Sequence, residues 1–243
     1  MLKIYQSPSE IHPAVAELFV EAAQTAIAEK GSFTVALTGG SSPIELHKLL
    51  ASAIYADKID WNKVFVFWGD ERWVPLADNL SNAKMAFETL LSHVPLPKDQ
   101  IFPMYDTDRT PEEFAAIYEQ KLLEILGKDG HFDLILLGMG DDGHTASLFP
   151  HEEVLNEQEK WVDAYYLAPQ GMHRITLTAP LINKAKQIVV ITFGEKKAPA
   201  LHQVLEGEPS VQQYPSQLLK PANGNLTFFV DEAAASQLEN KQG

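Results

Sequence analysis

The sequence predicts an α/β protein built on a doubly wound, mostly parallel sheet flanked by helices, with a small antiparallel addition. Three observations predict it. Short apolar runs bounded by turn residues recur at Phe33 to Thr38, Lys63 to Trp68, Asp133 to Leu137 and Gln187 to Phe193. Runs of this kind read as strands buried on both faces. Segments with helical apolar spacing lie between them. Only from Trp161 to Thr178 do strands succeed one another without a long helix, so the antiparallel addition is expected there. No repeat, low-complexity tract or linker interrupts the chain, and a single domain over residues 1–243 is expected.

The elements follow in order. His12-Pro13 predicts a helix start with Pro at the first helical position, and Gly31 predicts its end. After the strand at Phe33, Thr38-Gly39-Gly40-Ser41-Ser42 forms a loop. Ser42-Pro43-Ile44-Glu45 then reads as a capping box. Such a loop offers Gly and Ser N–H groups at a helix N-terminus, a cradle for phosphate, although an ordinary strand-to-helix turn has the same sequence features. The strand ending at Trp68 runs into Gly69-Asp70-Glu71-Arg72, three adjacent charges at a strand end. Ser81 to Leu91 reads as a helix, and a proline-rich loop covers Val94 to Pro103. Thr110-Pro111-Glu112-Glu113 is a second capping box, and Gly127 ends its helix.

The strand at Asp133 opens the most informative stretch. Gly138, Gly140 and Gly143 follow it with Asp141 and Asp142 between them, and His144 closes the loop. Histidine is the side chain whose unperturbed pKa lies nearest neutrality. Beyond it, a helical stretch is expected at Glu152 to Lys160, strands at Trp161 to Leu167 and His173 to Thr178, and a short helix at Pro180 to Ala185. A helix at Glu195 to Leu205, a last strand at Leu226 to Val230 and a closing helix capped by Asp231 complete the chain.

Composition narrows the chemistry. Across 243 residues, 45% are hydrophobic, which suits a globular core. No apolar run approaches the ~20 residues that span a bilayer. The first residues show no signal-peptide pattern, and the chain has no cysteine. A reducing cytoplasm is the expected location, and a monomer the expected state. A net charge of −14 argues against nucleic acid and against an anionic membrane surface as partners. A small anionic substrate would need a local cationic pocket, which draws attention to Arg72, Arg174 and Lys197.

Gly138 to Gly143 also matches the dinucleotide fingerprint G-x-G-x-x-G, with Asp163 about 20 residues on. That reading is rejected. Two aspartates would face the pyrophosphate, Pro150 cuts short any following helix, and Asp163 lies inside an apolar-rich run. No G-x-S-x-G elbow is present to supply a serine nucleophile. His131, His144 and His151 with the two aspartates fit no zinc or calcium spacing, so no metal is expected.

In a parallel sheet, loops Gly39–Ser42, Gly69–Arg72, Gly138–His144 and Gly194–Lys197 lie at one edge. They predict a phosphate site beside an acid–base histidine. Gly138-Met139-Gly140-Asp141-Asp142-Gly143-His144-Thr145-Ala146-Ser147-Leu148-Phe149-Pro150 closely resembles the signature of the 6-phosphogluconolactonase family. Leu37 to Pro43 resembles that family's phosphate loop. Trp68 to Pro75 with Ser81-Asn82, Arg174 to Thr178, and Gly194 to Ala198 resemble its other motifs.

The resemblance implies a Rossmann-like fold similar to that of glucosamine-6-phosphate isomerase/deaminase. That enzyme shares the Asp-Gly-His loop but carries Ile-Ala-Phe-Asn-Glu-Pro where this chain has Thr145 to Pro150, and Asp-Glu-Tyr at Asp70-Glu71-Arg72. It also implies hydrolysis of 6-phosphoglucono-δ-lactone, a sugar-phosphate lactone, in the oxidative pentose phosphate pathway, with no cofactor. His144 is expected as general base and Asp142 as its orienting carboxylate. Gly140 and Gly143 are expected to offer N–H groups to the oxyanion, with Arg72 as a further donor. Gly39, Gly40, Ser41 and Ser42 would hold the phosphate with Lys197 and Arg174, beside Asp70. Arg72 is left open between phosphate, oxyanion and a neighbouring acid. The rival readings are the isomerase/deaminase, a non-catalytic sugar-phosphate-binding protein and a nucleotide-dependent dehydrogenase.

Overall fold

A computed structural model describes residues 1–128 and 130–241. Its main sheet has six parallel strands: β1 (Leu2–Tyr5), β2 (Phe33–Leu37), β3 (Val64–Trp68), β5 (Leu134–Gly138), β8 (Ile188–Thr192) and β9 (Leu226–Asp231), in the order β1-β9-β8-β5-β2-β3. A second sheet joins β4 (Asp70–Arg72), β7 (Met172–Leu177) and β6 (Val162–Leu167) in that order, antiparallel throughout. The α-helices are α1 (Pro8–Lys30), α2 (Ile44–Leu50), α3 (Asn82–Ala86), α4 (Pro111–Leu126), α5 (Ala179–Ile182) and α6 (Ala198–Leu205), joined by a π-helical turn at Phe87–Leu91 and short 3-10 turns. This is the expected α/β architecture with its antiparallel addition. Among the described residues, no helix is long and apolar enough to cross a membrane.

Burial explains the strands. Every residue of β2 and β8 is buried, as a sheet covered on both faces requires. α1 lays Ile11, Val15, Phe19, Ala23 and Ala26 against this sheet, and one apolar cluster continues into Ala164, Ile175 and Leu177 of the second sheet.

The topology places the site. From β2 the chain moves to β3 at the sheet's edge, then returns to β5 on the other side of β2 and continues outward through β8 and β9. The direction therefore reverses between β2 and β5. The loops leaving their carboxyl ends diverge there and leave a crevice, the usual ligand position in such sheets.

Several elements differ from expectation. α1 begins at Pro8, not Pro13, because extended Ser7 precedes Pro8 at the first turn and Glu10 accepts the Gln6 N–H at 3.0 Å. Pro13 is carried inside the helix. Ser42 forms no capping box: Pro43 is already helical and Glu45 turns to the Lys48 ammonium at 2.7 Å. β1 was not expected, and it forms by pairing with β9.

Asp70–Arg72 is a strand, not a loop, through its pairing with β7. Only Glu153–Asn156 is helical in the stretch to Lys160, since Glu157 Oε1 accepts the N–H groups of residues 158 to 160 and holds them as a loop. Asp231 caps a succession of turns instead of a helix, its Oδ1 accepting the Ala234 N–H at 2.8 Å.

Candidate active site

A cleft of about 270 Å³ opens at the β2/β5 reversal. Gly39–Ser42 form one wall, Gly138–Gly140 with His144 and Phe149 another, and Arg72, Arg174 and Lys197 bring positive charge. Gly39–Ser42, Gly138–Gly140, His144, Arg72 and Lys197 come from the four segments that the sequence pointed to, Arg174 joins them from β7, and Phe149 is an addition of the structure.

The first wall is rich in donors. Among the described residues, the N–H groups of Gly39, Gly40, Ser41 and Ser42 have no intramolecular acceptor. The lost capping box matters here, because it leaves the Ser42 N–H unengaged. Gly39 is required by close approach: a Cβ there would stand 1.9 Å from Asn82 Oδ1. Asn82 in turn donates to the Asp70 carbonyl at 2.9 Å, which locks this wall to β4.

The second wall holds a histidine–carboxylate pair. Asp142 Oδ1 lies 2.6 Å from His144 Nδ1 and also accepts the His144 backbone N–H at 3.1 Å. A carboxylate at Nδ1 assigns the proton to that nitrogen and leaves the lone pair on Nε2. Burial alone would raise the Asp142 carboxyl, but its bonds to His144 bring it below its ordinary value. Asp142 supports the ring from behind and does not line the cleft. Gly143 does not line it either, and packs against Tyr214.

The glycine amides of this loop were expected to serve an oxyanion, and that expectation is corrected. The Gly140 N–H donates to the His144 carbonyl at 2.8 Å, and the Gly143 N–H donates to the Gly140 carbonyl at 3.1 Å. Both shape the turn and are spent on it.

The second sheet organises the cations. Arg72 and Arg174 are cross-strand partners in the β4–β7 pair. Arg174, 5% exposed, has Nη1 at 3.6 Å from Asp70 Oδ2 and 3.4 Å from Ser147 Oγ, and Nη2 donates to Gln170 Oε1. Its pKa is pushed down by burial, opposed by Asp70 and assisted by Arg72. Arg72 is less committed. Nη1 donates to the Leu80 carbonyl at 2.8 Å, its one side-chain bond among the described residues, and its buried Nε, like that of Arg174, has no partner. Two adjacent guanidinium groups give this acidic protein the local positive field an anionic ligand needs.

Sequence reading overlooked several supports. Glu71 is fully buried and accepts from the backbone of Arg72, Asn82 and Ala83, each at 2.8 Å, and from Ser81 Oγ at 3.0 Å. Burial raises its carboxyl, the three amides pull it back, and Asp70 adds to the rise. Its bonds fasten the 72–83 segment beside Arg72. Ser147 donates to Asp70 at 2.6 Å, while its carbonyl accepts Tyr165 Oη at 2.7 Å, so the chain after His144 is tied to the second sheet. The available signal for Glu71 was its place between Asp70 and Arg72 at the end of a buried strand. Gln170 and Tyr165 carried none.

The chain and its fold have known relatives. A family profile described as glucosamine-6-phosphate isomerases/6-phosphogluconolactonase matches residues 6–228. The chain belongs to that family. Within the family, a 6-phosphogluconolactonase from Synechocystis sp. is 40% identical over 217 residues, 88% of either chain. The solved 6-phosphogluconolactonase of Leishmania guyanensis superposes with a TM-score of 0.85 at 27% identity, covering 100% of this chain and 99% of its own. A monomeric glucosamine-6-phosphate deaminase shares the fold at a TM-score of 0.83 and 20% identity, covering 97% of this chain and 99% of its own.

Proposed function

We propose that this chain hydrolyses 6-phosphoglucono-δ-lactone to 6-phosphogluconate, as the 6-phosphogluconolactonases among its relatives and the chemistry of the cleft together suggest. The observation that carries the reading is the Asp142–His144 pair facing a wall of unengaged amides. The first supplies a base and the second an anion cradle, in one cleft.

The 6-phosphate rests on the Gly39–Ser42 N–H groups, with Lys197 as cation. His144 Nε2 takes a proton from a water whose oxygen attacks the lactone carbonyl carbon. Negative charge then develops on the carbonyl oxygen. Arg72 is the donor suited to it: the Nε of both arginines is unpartnered, but Arg174 has both Nη groups engaged by Asp70, Ser147 and Gln170, whereas Arg72 makes a single side-chain bond, to the Leu80 carbonyl. Collapse of the tetrahedral species breaks the ring C–O bond, and His144 returns its proton to the departing oxygen. Asp142 keeps the ring in the productive tautomer and stabilises the imidazolium between the two transfers. The reaction sits in the oxidative pentose phosphate pathway and uses only water as co-reactant.

The test generates the lactone in place with glucose-6-phosphate dehydrogenase and follows its loss with wild type, His144→Ala and no protein. The last arm corrects for spontaneous hydrolysis. Acceleration by wild type that His144→Ala lacks is the expected result. Acceleration that survives in the variant removes His144 from the mechanism. No acceleration by a folded wild type, with ammonia released from glucosamine 6-phosphate, moves the chain to the isomerase branch.

A further inference from the structure

Each cation of the cleft has an internal partner, but the partners differ in kind. Arg72 donates to a backbone carbonyl. Arg174 faces Asp70, which is 6% exposed and held by Ser147 Oγ at 2.6 Å. Lys197 is different. Its Nζ lies 2.6 Å from Asp141 Oδ1, and that aspartate side chain is 58% exposed. Among the described residues, Asp141 makes no other ion pair and Lys197 has no other carboxylate. The pair bridges the Gly138–His144 loop and the Gly194–Lys197 loop beside the cleft.

We infer that Asp141 is a specificity-determining residue, an internal counter-ion that Lys197 exchanges for the phosphate of the substrate. The inference rests on the anion-site reading above. An exposed ion pair is weak in water, so a ligand can replace it. A dianionic phosphate seated on the neighbouring amides outbids a single carboxylate for the ammonium. A lactone without phosphate cannot, and meets Lys197 already neutralised. The remaining carboxylate also repels any anion that binds without taking up Lys197. Asp141 thus sets a threshold of ligand charge at the cleft.

Titration with inorganic phosphate, followed by calorimetry, tests this without turnover. Removing one charge near a dianion should tighten binding by about 3- to 10-fold at low salt in Asp141→Asn. Asp141→Glu should return the affinity toward wild type, because it restores the charge. Equal or weaker binding by Asp141→Asn overturns the inference. So does tight binding by Asp141→Glu, and so does failure of wild type and Asp141→Asn alike to bind. Thermal melts confirm that both variants are folded. Lactone turnover by wild type, measured in parallel, separates the two readings: turnover without the phosphate effect removes Asp141's role and leaves the lactonase, whereas the phosphate effect without turnover does the reverse.

Discussion

The ring of Phe149 lies on the ring of His144, with centroids 4.0 Å apart and planes inclined by 24°. The Arg174 guanidinium carbon is 5.3 Å from the same Phe149 ring. Asp142 fixes the imidazole at one edge, and Phe149 fixes its plane. Together they leave the base little freedom to rotate away from a substrate. An aromatic pair of this kind contributes about 0.5–1.5 kcal/mol beyond its buried area. If that energy holds the ring in place, Phe149→Leu lowers kcat by about 2- to 10-fold with little change in KM. Phe149→Tyr retains the stack and restores the rate. Steady-state kinetics on variants shown by melting to be folded decide the matter, and a Phe149→Leu enzyme with wild-type kcat would remove Phe149 from the positioning of His144.

Gly140 makes a sharper prediction about the same ring. A Cβ at this position would stand 2.1 Å from His144 Nδ1 and 2.5 Å from Asp142 Oδ1. Neither distance is tolerable, so Gly140→Ala must push the imidazole off its carboxylate. Overpacking of this sort costs typically 1–3 kcal/mol of stability. The catalytic loss is expected to be larger, about 10²-fold or more in kcat, since both tautomer and aim of the base are disturbed. Near-normal kcat in Gly140→Ala would show that the Asp142 contact is dispensable.

Gly140, Asp142 and His144 were legible in the sequence because Gly138 to His144 is contiguous: strand, turn, carboxylate and base arrive in one stretch, whereas the stacking of Phe149 on His144 was not. The Gly39–Ser42 wall was legible for the same reason. What escaped depends on distant partners. β1 has four residues and no flanking signal, and it exists through β9, to which the Met1 amine also bonds across 225 positions. Asp-Glu-Arg has poor strand propensity, and β4 is made a strand by β7. Glu71 stands in the sequence as one of three adjacent charges, with nothing to mark it for burial, yet the amides of residues 72, 82 and 83 draw it inside. The glycine amides misled in the opposite sense. Their abundance suggested an oxyanion hole, but a turn this tight consumes its own donors.

His47 gives a prediction about stability. Its ring is wholly buried in α2, with Nδ1 3.0 Å from Thr89 Oγ1 and no partner at Nε2. Because Thr89 donates its own hydroxyl proton to the Met85 carbonyl at 2.7 Å, it accepts from His47 Nδ1–H, and the Nε2 lone pair is left bare. A proton there would have no protein acceptor in a fully buried site. Burial accordingly pushes the His47 pKa down to about 4. The unfolded chain protonates this ring near its ordinary value of about 6.5, so between those pH values the unfolded state binds a proton that the native state refuses. Stability therefore falls as pH drops from about 6.5 to about 4, by on the order of 3 kcal/mol at the lower end. His47→Gln has no such titration. Urea unfolding at pH 7, 5 and 4 should show wild type losing about that much more stability than His47→Gln, because the carboxylates common to both cancel in the difference. Parallel stability curves for the two proteins would mean that His47 is protonated as readily in the folded chain as in the unfolded one.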